Sequence, residues 1–196
     1  MEFVQPLRSR ADIARVKEVL KSRNLRDYTL FVLGIYTGLR ISDLLKLKVK
    51  DVAREEKKKL VIRESLSLRE MKTGKAKIIV LNKTARSALK QLLRRASPDF
   101  DDPLFISRKK DREGKLKAIQ RCQAYLILNR AAREAGITER IGTHTLRKTF
   151  GYHNYRKGFD ITKLQQIFNH ASPAVTLAYI GFTQDEIDEA YINLDY

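Results

Sequence analysis

The segment Asn169-His170-Ala171-Ser172-Pro173-Ala174-Val175-Thr176-Leu177-Ala178-Tyr179-Ile180-Gly181 contains the start and the stop of one short helix. A serine hydroxyl caps the first free amides, and proline in the first turn lacks the amide that would go unpaired, so Ser172-Pro173 marks the N-terminus. Gly181 marks the end. Tyr179 therefore sits near the close of this helix and His170 in the turn before it, where the two side chains can converge. Upstream, Asp160 is placed to cap a short helix through Phe168, and another helix is expected from about His144 to Lys157 before Gly158. On that helix Arg147 follows His144 by three residues, a rotation of ~300°, so imidazole and guanidinium share a face. His153 lies ~180° away and reads as structural or surface.

Further outward, a long helix is expected from about Gln120 to Ala135, closed by Gly136. Pro98 to Arg112 is rich in proline, aspartate and charge, and reads as an exposed connection. Ala85, Ala88, Leu89 and Leu92 form the buried side of a helix capped by Asn82 or Thr84. Leu60 to Ile62, the alternation around Leu66 and Leu68, and Ala76 to Leu81 read as strands, with Thr73-Gly74-Lys75 as a tight turn. Ile13, Val16 and Leu20 recur at helical spacing within Ala11 to Arg23. Tyr28 to Tyr36 reads as a buried helix interrupted by Gly38, after which Ser42 can cap a helix through Leu47. Beyond Gly181, Thr183-x-x-Glu186 is a capping box for a last amphipathic helix with Ile187, Ala190, Tyr191 and Leu194 on one face. The expected class is α+β, mostly helical, with one small antiparallel three-stranded sheet.

Composition narrows the partners. The 196 residues suit one domain with at most a small appendage. Forty Lys and Arg against 23 Asp and Glu leave a net charge of +17, which favours a polyanion because each neutralised phosphate releases condensed counterions. Cys122 is the sole cysteine and the three histidines form no HExxH pair, so neither a disulfide nor a metal centre is expected. The N-terminal residues lack the pattern of a signal peptide, and no apolar run approaches the ~20 residues of a membrane span; the chain reads as cytoplasmic.

Three local patterns carry polar chemistry: Thr37-Gly38-Leu39-Arg40-Ile41-Ser42-Asp43, His144-Thr145-Leu146-Arg147, and Asn169-His170 with Tyr179. Singly, each has an ordinary reading. Arg40 and Asp43 make a surface ion pair, although Asp43 could instead orient the Arg40 guanidinium. A tyrosine, one of eight, is more often core packing than a nucleophile. Together, in this order and spacing, they change the reading. From about Leu30 to Phe182 the chain resembles the catalytic domain of tyrosine recombinases, the phage-integrase family, through its TGLRISDLL, MKTGK, HTLRKTF and NHASPAVTLAYIG segments.

The resemblance implies Arg40, Lys72, His144, Arg147, His170 and Tyr179 as active-site residues, with no position of the usual set missing and no cofactor. It implies double-stranded DNA as partner and self-association, as dimer or tetramer, on that DNA. Residues 1–182 would be the catalytic domain and 183–196 a C-terminal extension whose Ile187–Leu194 helix packs on a neighbouring protomer. Family members commonly carry another DNA-binding domain before the catalytic one. Here the match begins almost at the start, as expected of either a truncated chain or a naturally short relative.

The residue types suit that chemistry on their own terms. Displacing a 5′ oxygen from a phosphodiester needs charge stabilisation on the non-bridging oxygens, a nucleophile and a general acid. Arg40 and Arg147 supply the clamp and His170 a further hydrogen bond. Tyr179 attacks phosphorus, losing a proton with a reference pKa of ~10. His144 is a candidate to accept that proton or to help bind phosphate. Lys72 beside the hairpin turn is the candidate to protonate the leaving oxygen, with Lys75 and Lys77 as rivals. Competing readings are a type IB topoisomerase-like relaxation of one strand and a DNA-binding regulator without catalysis.

Overall fold

The computed structural model describes residues 4–57, 59–72, 74–96, 98–182 and 192. Thr73 of the expected turn, and Thr183, Glu186, Ile187, Ala190, Tyr191 and Leu194 of the expected last helix, lie outside the described residues. Nine helices and four strands are present among the residues described.

Helix α1 (Arg10–Arg23) is capped by Ser9 and stops at Asn24, whose side chain in turn caps α2 (Leu25–Thr37). The α2 segment Leu30-Phe31-Val32-Leu33 is buried on every side, as its apolar run demands. It packs against α1, α5 (Lys83–Ala96), α6 (Arg121–Glu134) and α7 (Thr143–Arg156). Gly38 then takes a left-handed conformation (φ +63°), and a Cβ there would meet the Phe150 ring at 2.5 Å, so α2 ends against α7 only because this residue is glycine. Asn82, rather than Thr84, caps α5 by accepting from the Ala85 amide.

The strands correct the expected sheet. Four short strands make two separate antiparallel pairs rather than one three-stranded sheet: β1 (Ala53–Glu56) with β2 (Lys59–Ile62), and β3 (Ser65–Arg69) with β4 (Ala76–Val80). Strand β1 carries Arg54-Glu55-Glu56 and buries only Ala53, so it has no alternation to announce it. It is held by register, which sets Glu56 opposite Lys59 and Ala53 opposite Ile62. The chain between β2 and β3 bonds outward instead of pairing the two strands, with Arg63 N–H donating to Val52 O and Leu81 N–H to Glu64 O.

Two further expectations change. The helix after Gly38 is short, α3 (Ile41–Leu44), with Arg40 rather than Ser42 at its N-cap. The next turn leads to α4 (Val49–Val52), because Leu45 and Leu47 are drawn into the core and Lys48 bridges to Pro103. That same bridge anchors the connection after α5. Its Leu104 and Phe105 are buried, and Ile106 pairs with Ala118, so only part of it is exposed.

Helix α7 lies between two apolar clusters. Its Leu146 joins the main core around α2, while Tyr152 packs in a smaller cluster with Phe168 of α8 (Ile161–Phe168) and Ile180 of α9 (Pro173–Ile180). Gly151 allows this approach. A Cβ there would stand 2.6 Å from Ile180 Cγ2 and 2.7 Å from Phe168 Cε2. Gly151→Ala is therefore expected to destabilise the protein by about 1–3 kcal/mol through overpacking, and to displace α9 with its tyrosine. Denaturant unfolding checks the first effect.

Candidate active site

The six residues singled out from the sequence come together in one cleft of about 510 Å³. Arg40, Lys72, Lys75, His144, Arg147, Asn169, His170 and Tyr179 line it. Five chain segments contribute: the α2–α3 junction, the β3–β4 turn, the first two turns of α7, the α8–α9 turn and the end of α9. The cap residues identified in the sequence set the last two of these positions. Asp160 accepts from the Thr162 and Lys163 amides, and Ser172 accepts from the Val175 amide. Asn169 closes α8 in a left-handed conformation (φ 54°), turning the chain so that His170 and Tyr179 face each other with ring centroids 4.8 Å apart.

Two guanidiniums meet at the floor. Arg147 is 3% exposed and donates to Gly38 O and, at 2.9 Å, to Phe168 O. Arg40 donates to the same Phe168 O at 3.3 Å and to Glu70 Oε2 at 2.9 Å. The carbonyl that ends α8 thus gathers both cations, since the last carbonyls of a helix lack intrahelical donors. The Arg147 guanidinium also stacks 4.5 Å from the Phe168 ring. Each guanidinium has five N–H donors, so donors remain on both for an anion in the cleft.

Asp43 does not orient Arg40 as its spacing allowed. Its Oδ1 accepts from the Met71 amide at 3.0 Å, tying α3 to the hairpin turn, and its buried Oδ2 has no hydrogen bond among the described residues. Glu70 makes the Arg40 pair instead. The rival lysines also separate. Lys77 donates to Ile167 O at 2.6 Å and lies 3.4 Å from Glu70 Oε1, and it does not line the cleft. Lys75 donates to Asn169 Oδ1 at 2.8 Å on the cleft wall, and Lys72 lines the cleft as an exposed side chain.

Three residues of this neighbourhood were not singled out from the sequence: Glu70, Arg121 and Lys148. Arg121 Nη2 stands 3.4 Å from His144 Nε2, and His144 Nδ1 stands 3.5 Å from Tyr179 Oη. Lys148 Nζ, buried on α7, lies 5.4 Å from the centre of the Tyr179 ring. His153 turns to the other side of α7 and bonds Leu7 O, as expected of a structural histidine.

Burial and positive charge set the protonation states. Burial raises the Tyr179 phenol above its ordinary value, while the Arg147 and Arg40 charges pull it back. Burial, then Arg121 and Lys148, lowers His144. Burial, then Arg147 and Arg40, lowers His170 to about 4, so its imidazole is neutral at pH 7 and Nδ1 bonds the Thr176 hydroxyl at 3.1 Å. A histidine lowered in the folded state costs stability on acidification. The unfolded chain takes up the proton as pH falls below about 6.5, the folded chain only near 4. Stability is therefore expected to fall from pH 6.5 towards 4, and His170→Gln to flatten part of that decline in thermal melts. An unchanged slope would remove His170 from the cause.

Residues 10–185 match the model of the phage integrase family. The chain belongs to this family. It is 44% identical over 192 residues to the probable integrase/recombinase YoeC of Bacillus subtilis, covering 97% of each chain. It is 30% identical over 179 residues to tyrosine recombinase XerA of Pyrococcus furiosus, covering 91% of this chain but only 58% of that relative's length. Its fold is similar to the crystal structure of XerA recombinase (TM-score 0.75, 24% identity, all of this chain and 66% of that one). It is also similar to the catalytic domain of bacteriophage HP1 integrase (TM-score 0.60, 20% identity, 98% and 96%). This integrase-family chain thus has the mostly helical α+β fold expected of it. Among the described residues, no helix is long and apolar enough to cross a membrane.

Proposed function

We propose that this chain is a site-specific DNA recombinase that cleaves and rejoins strands through a covalent 3′-phosphotyrosine at Tyr179. The observation that carries the reading is the convergence of Arg40 and Arg147 on Phe168 O, in the same cleft as Tyr179 and two histidines. A scissile phosphate held there meets fixed donors placed before the reaction begins, where charge stabilisation is most effective. Relatives named as recombinases support the same reading.

In the proposed reaction Tyr179 Oη forms a bond to phosphorus as the bond from phosphorus to the 5′ oxygen breaks. Arg40 and Arg147 hold the non-bridging oxygens, and His170 adds a hydrogen bond from its ring. Lys72 gives its proton to the departing 5′ oxygen, which leaves as a hydroxyl. The guanidinium of Arg121 has only donors, so His144 Nε2 accepts from it and Nδ1 carries the hydrogen towards Tyr179. This favours His144 as the group that steadies the forming phenolate, with the phenol proton leaving to water in the open cleft. Attack by the 5′ hydroxyl of another strand reverses the steps and reseals the DNA, so neither ATP nor a metal enters the balance.

Residues 1–182 would serve as the catalytic unit, and 183–196 would dock on a second copy as the protein assembles on DNA. That segment carries Asp185, Glu186, Asp188, Glu189 and Asp195 and no lysine or arginine, which complements a chain of net charge +17.

Nicked suicide DNA tests the proposal. Incubated with chelator and without nucleotide, the protein is expected to yield a protein–DNA adduct that survives denaturant. Absence of any adduct on a range of candidate sites, with retained DNA binding, would favour a non-catalytic regulator. Supercoil relaxation by monomers without strand exchange would favour the topoisomerase-like reading.

A further inference from the structure

Glu70 is an isolated acid among Arg69, Lys72, Lys75 and Lys77, yet it is 3% exposed. A buried carboxylate persists when it is paired and hydrogen-bonded. Its Oε2 receives Arg40 Nη1 at 2.9 Å, and its Oε1 lies 3.4 Å from Lys77 Nζ. Lys77 reaches on to Ile167 O, one residue before the carbonyl on which Arg40 and Arg147 converge. The backbone of Glu70 also closes the turn that carries Lys72. Its N–H donates to Lys75 O at 3.0 Å, and its C=O accepts from Gly74 N–H at 2.8 Å.

One residue thus joins three parts of the cleft. Two guanidiniums sharing one carbonyl repel each other, and the repulsion is stronger where water is scarce. A carboxylate on the outer side of Arg40 offsets that repulsion and holds the fork in one orientation. It does so without using up the fork: Glu70 and Phe168 O take two of five donors. We infer that Glu70 is a positioning residue for strand cleavage, fixing Arg40 and the Lys72 turn relative to each other before phosphate binds. The inference rests on the proposed cleavage reaction and adds to it a residue outside the set that touches phosphate.

The test separates binding from the chemical step. DNA affinity is measured in a Tyr179→Phe background, with and without Glu70→Gln, and covalent cleavage is timed at saturating suicide DNA. Glu70→Gln keeps the shape but not the charge. It is expected to leave affinity within about twofold, because the phosphate contacts that dominate affinity are intact. Cleavage is expected to slow by about tenfold or more, a fraction of the ~10²–10³ cost of deleting a charge-stabilising donor outright. The same change made on Arg40→Lys is expected to have little further effect, since residues acting through one another are not additive. A structural role would be additive.

Unchanged cleavage by Glu70→Gln, or an equal slowing in both backgrounds, would overturn the inference. If Glu70→Gln is not recovered folded, Glu70→Asp, which retracts the charge by one methylene, is compared in the same way with the same two outcomes. A wild type that gives no Tyr179-dependent adduct would overturn the functional reading and this inference together. An adduct from the wild type with an equally fast Glu70→Gln would overturn this inference alone.

Discussion

Arg147→Ala is expected to slow covalent cleavage at saturating DNA by at least about 10²–10³-fold, the cost of removing one preorganised donor from a developing charge. The loss has a second source. Arg147 donates to both Gly38 O and Phe168 O and stacks on the Phe168 ring, so its removal orphans Gly38 O and leaves Phe168 O with Arg40 alone, at the junction of α2, α7 and α8. Each unsatisfied buried group costs about 1–3 kcal/mol, and the variant should melt at a lower temperature as well as cleave more slowly. Arg147→Lys separates the two effects. A point charge on a flexible stem cannot bond two carbonyls and a phosphate in fixed directions. It is expected to keep part of the DNA affinity while cleavage stays well below wild type. Single-turnover cleavage alongside a thermal melt measures both, and a lysine variant with wild-type cleavage would mean that the planar fork is not needed.

Tyr179→Phe is expected to abolish the covalent adduct. The substitution removes one oxygen and leaves the ring, whose edge contacts with Phe168 (5.5 Å) and His170 (4.8 Å) hold the end of α9 in place. Stability should therefore change by no more than about 1 kcal/mol, the net worth of an ordinary hydrogen bond. Binding to DNA should persist, because the cationic clamp is intact. Adding Arg147→Ala to Tyr179→Phe should weaken binding but have no further effect on an adduct already absent, the behaviour of groups that act as one unit.

Much of the frame was legible because its signals are local. Ser172-Pro173, Asp160 and Gly38 act through caps and backbone conformation within a few residues, and each ends or starts the helix that its chemistry predicts. The spacing of His144 and Arg147 likewise places both side chains on the cleft. What escaped depends on long-range encounters. Glu70 meets Arg40 across thirty residues, and Arg121 meets His144 from a different helix. Nothing within a short window distinguishes these side chains from solvated charge. Glu70 left one trace, an acid alone among four bases in a hairpin. Strand β1 was hidden for a related reason, since three of its four residues are charged and only pairing with β2 gives it structure. Asp43 shows the converse error: close in sequence to Arg40, it serves the Met71 amide instead.

Chemical identification of the protein–DNA linkage decides whether Tyr179 is the nucleophile. The adduct formed on nicked suicide DNA would be digested with nuclease and protease, and the nucleotide-bearing peptide sequenced by mass spectrometry. The expected product is a 3′-phosphoryl nucleotide esterified to Tyr179. A nucleotide on any other residue, or an adduct that forms unchanged with Tyr179→Phe, would contradict it.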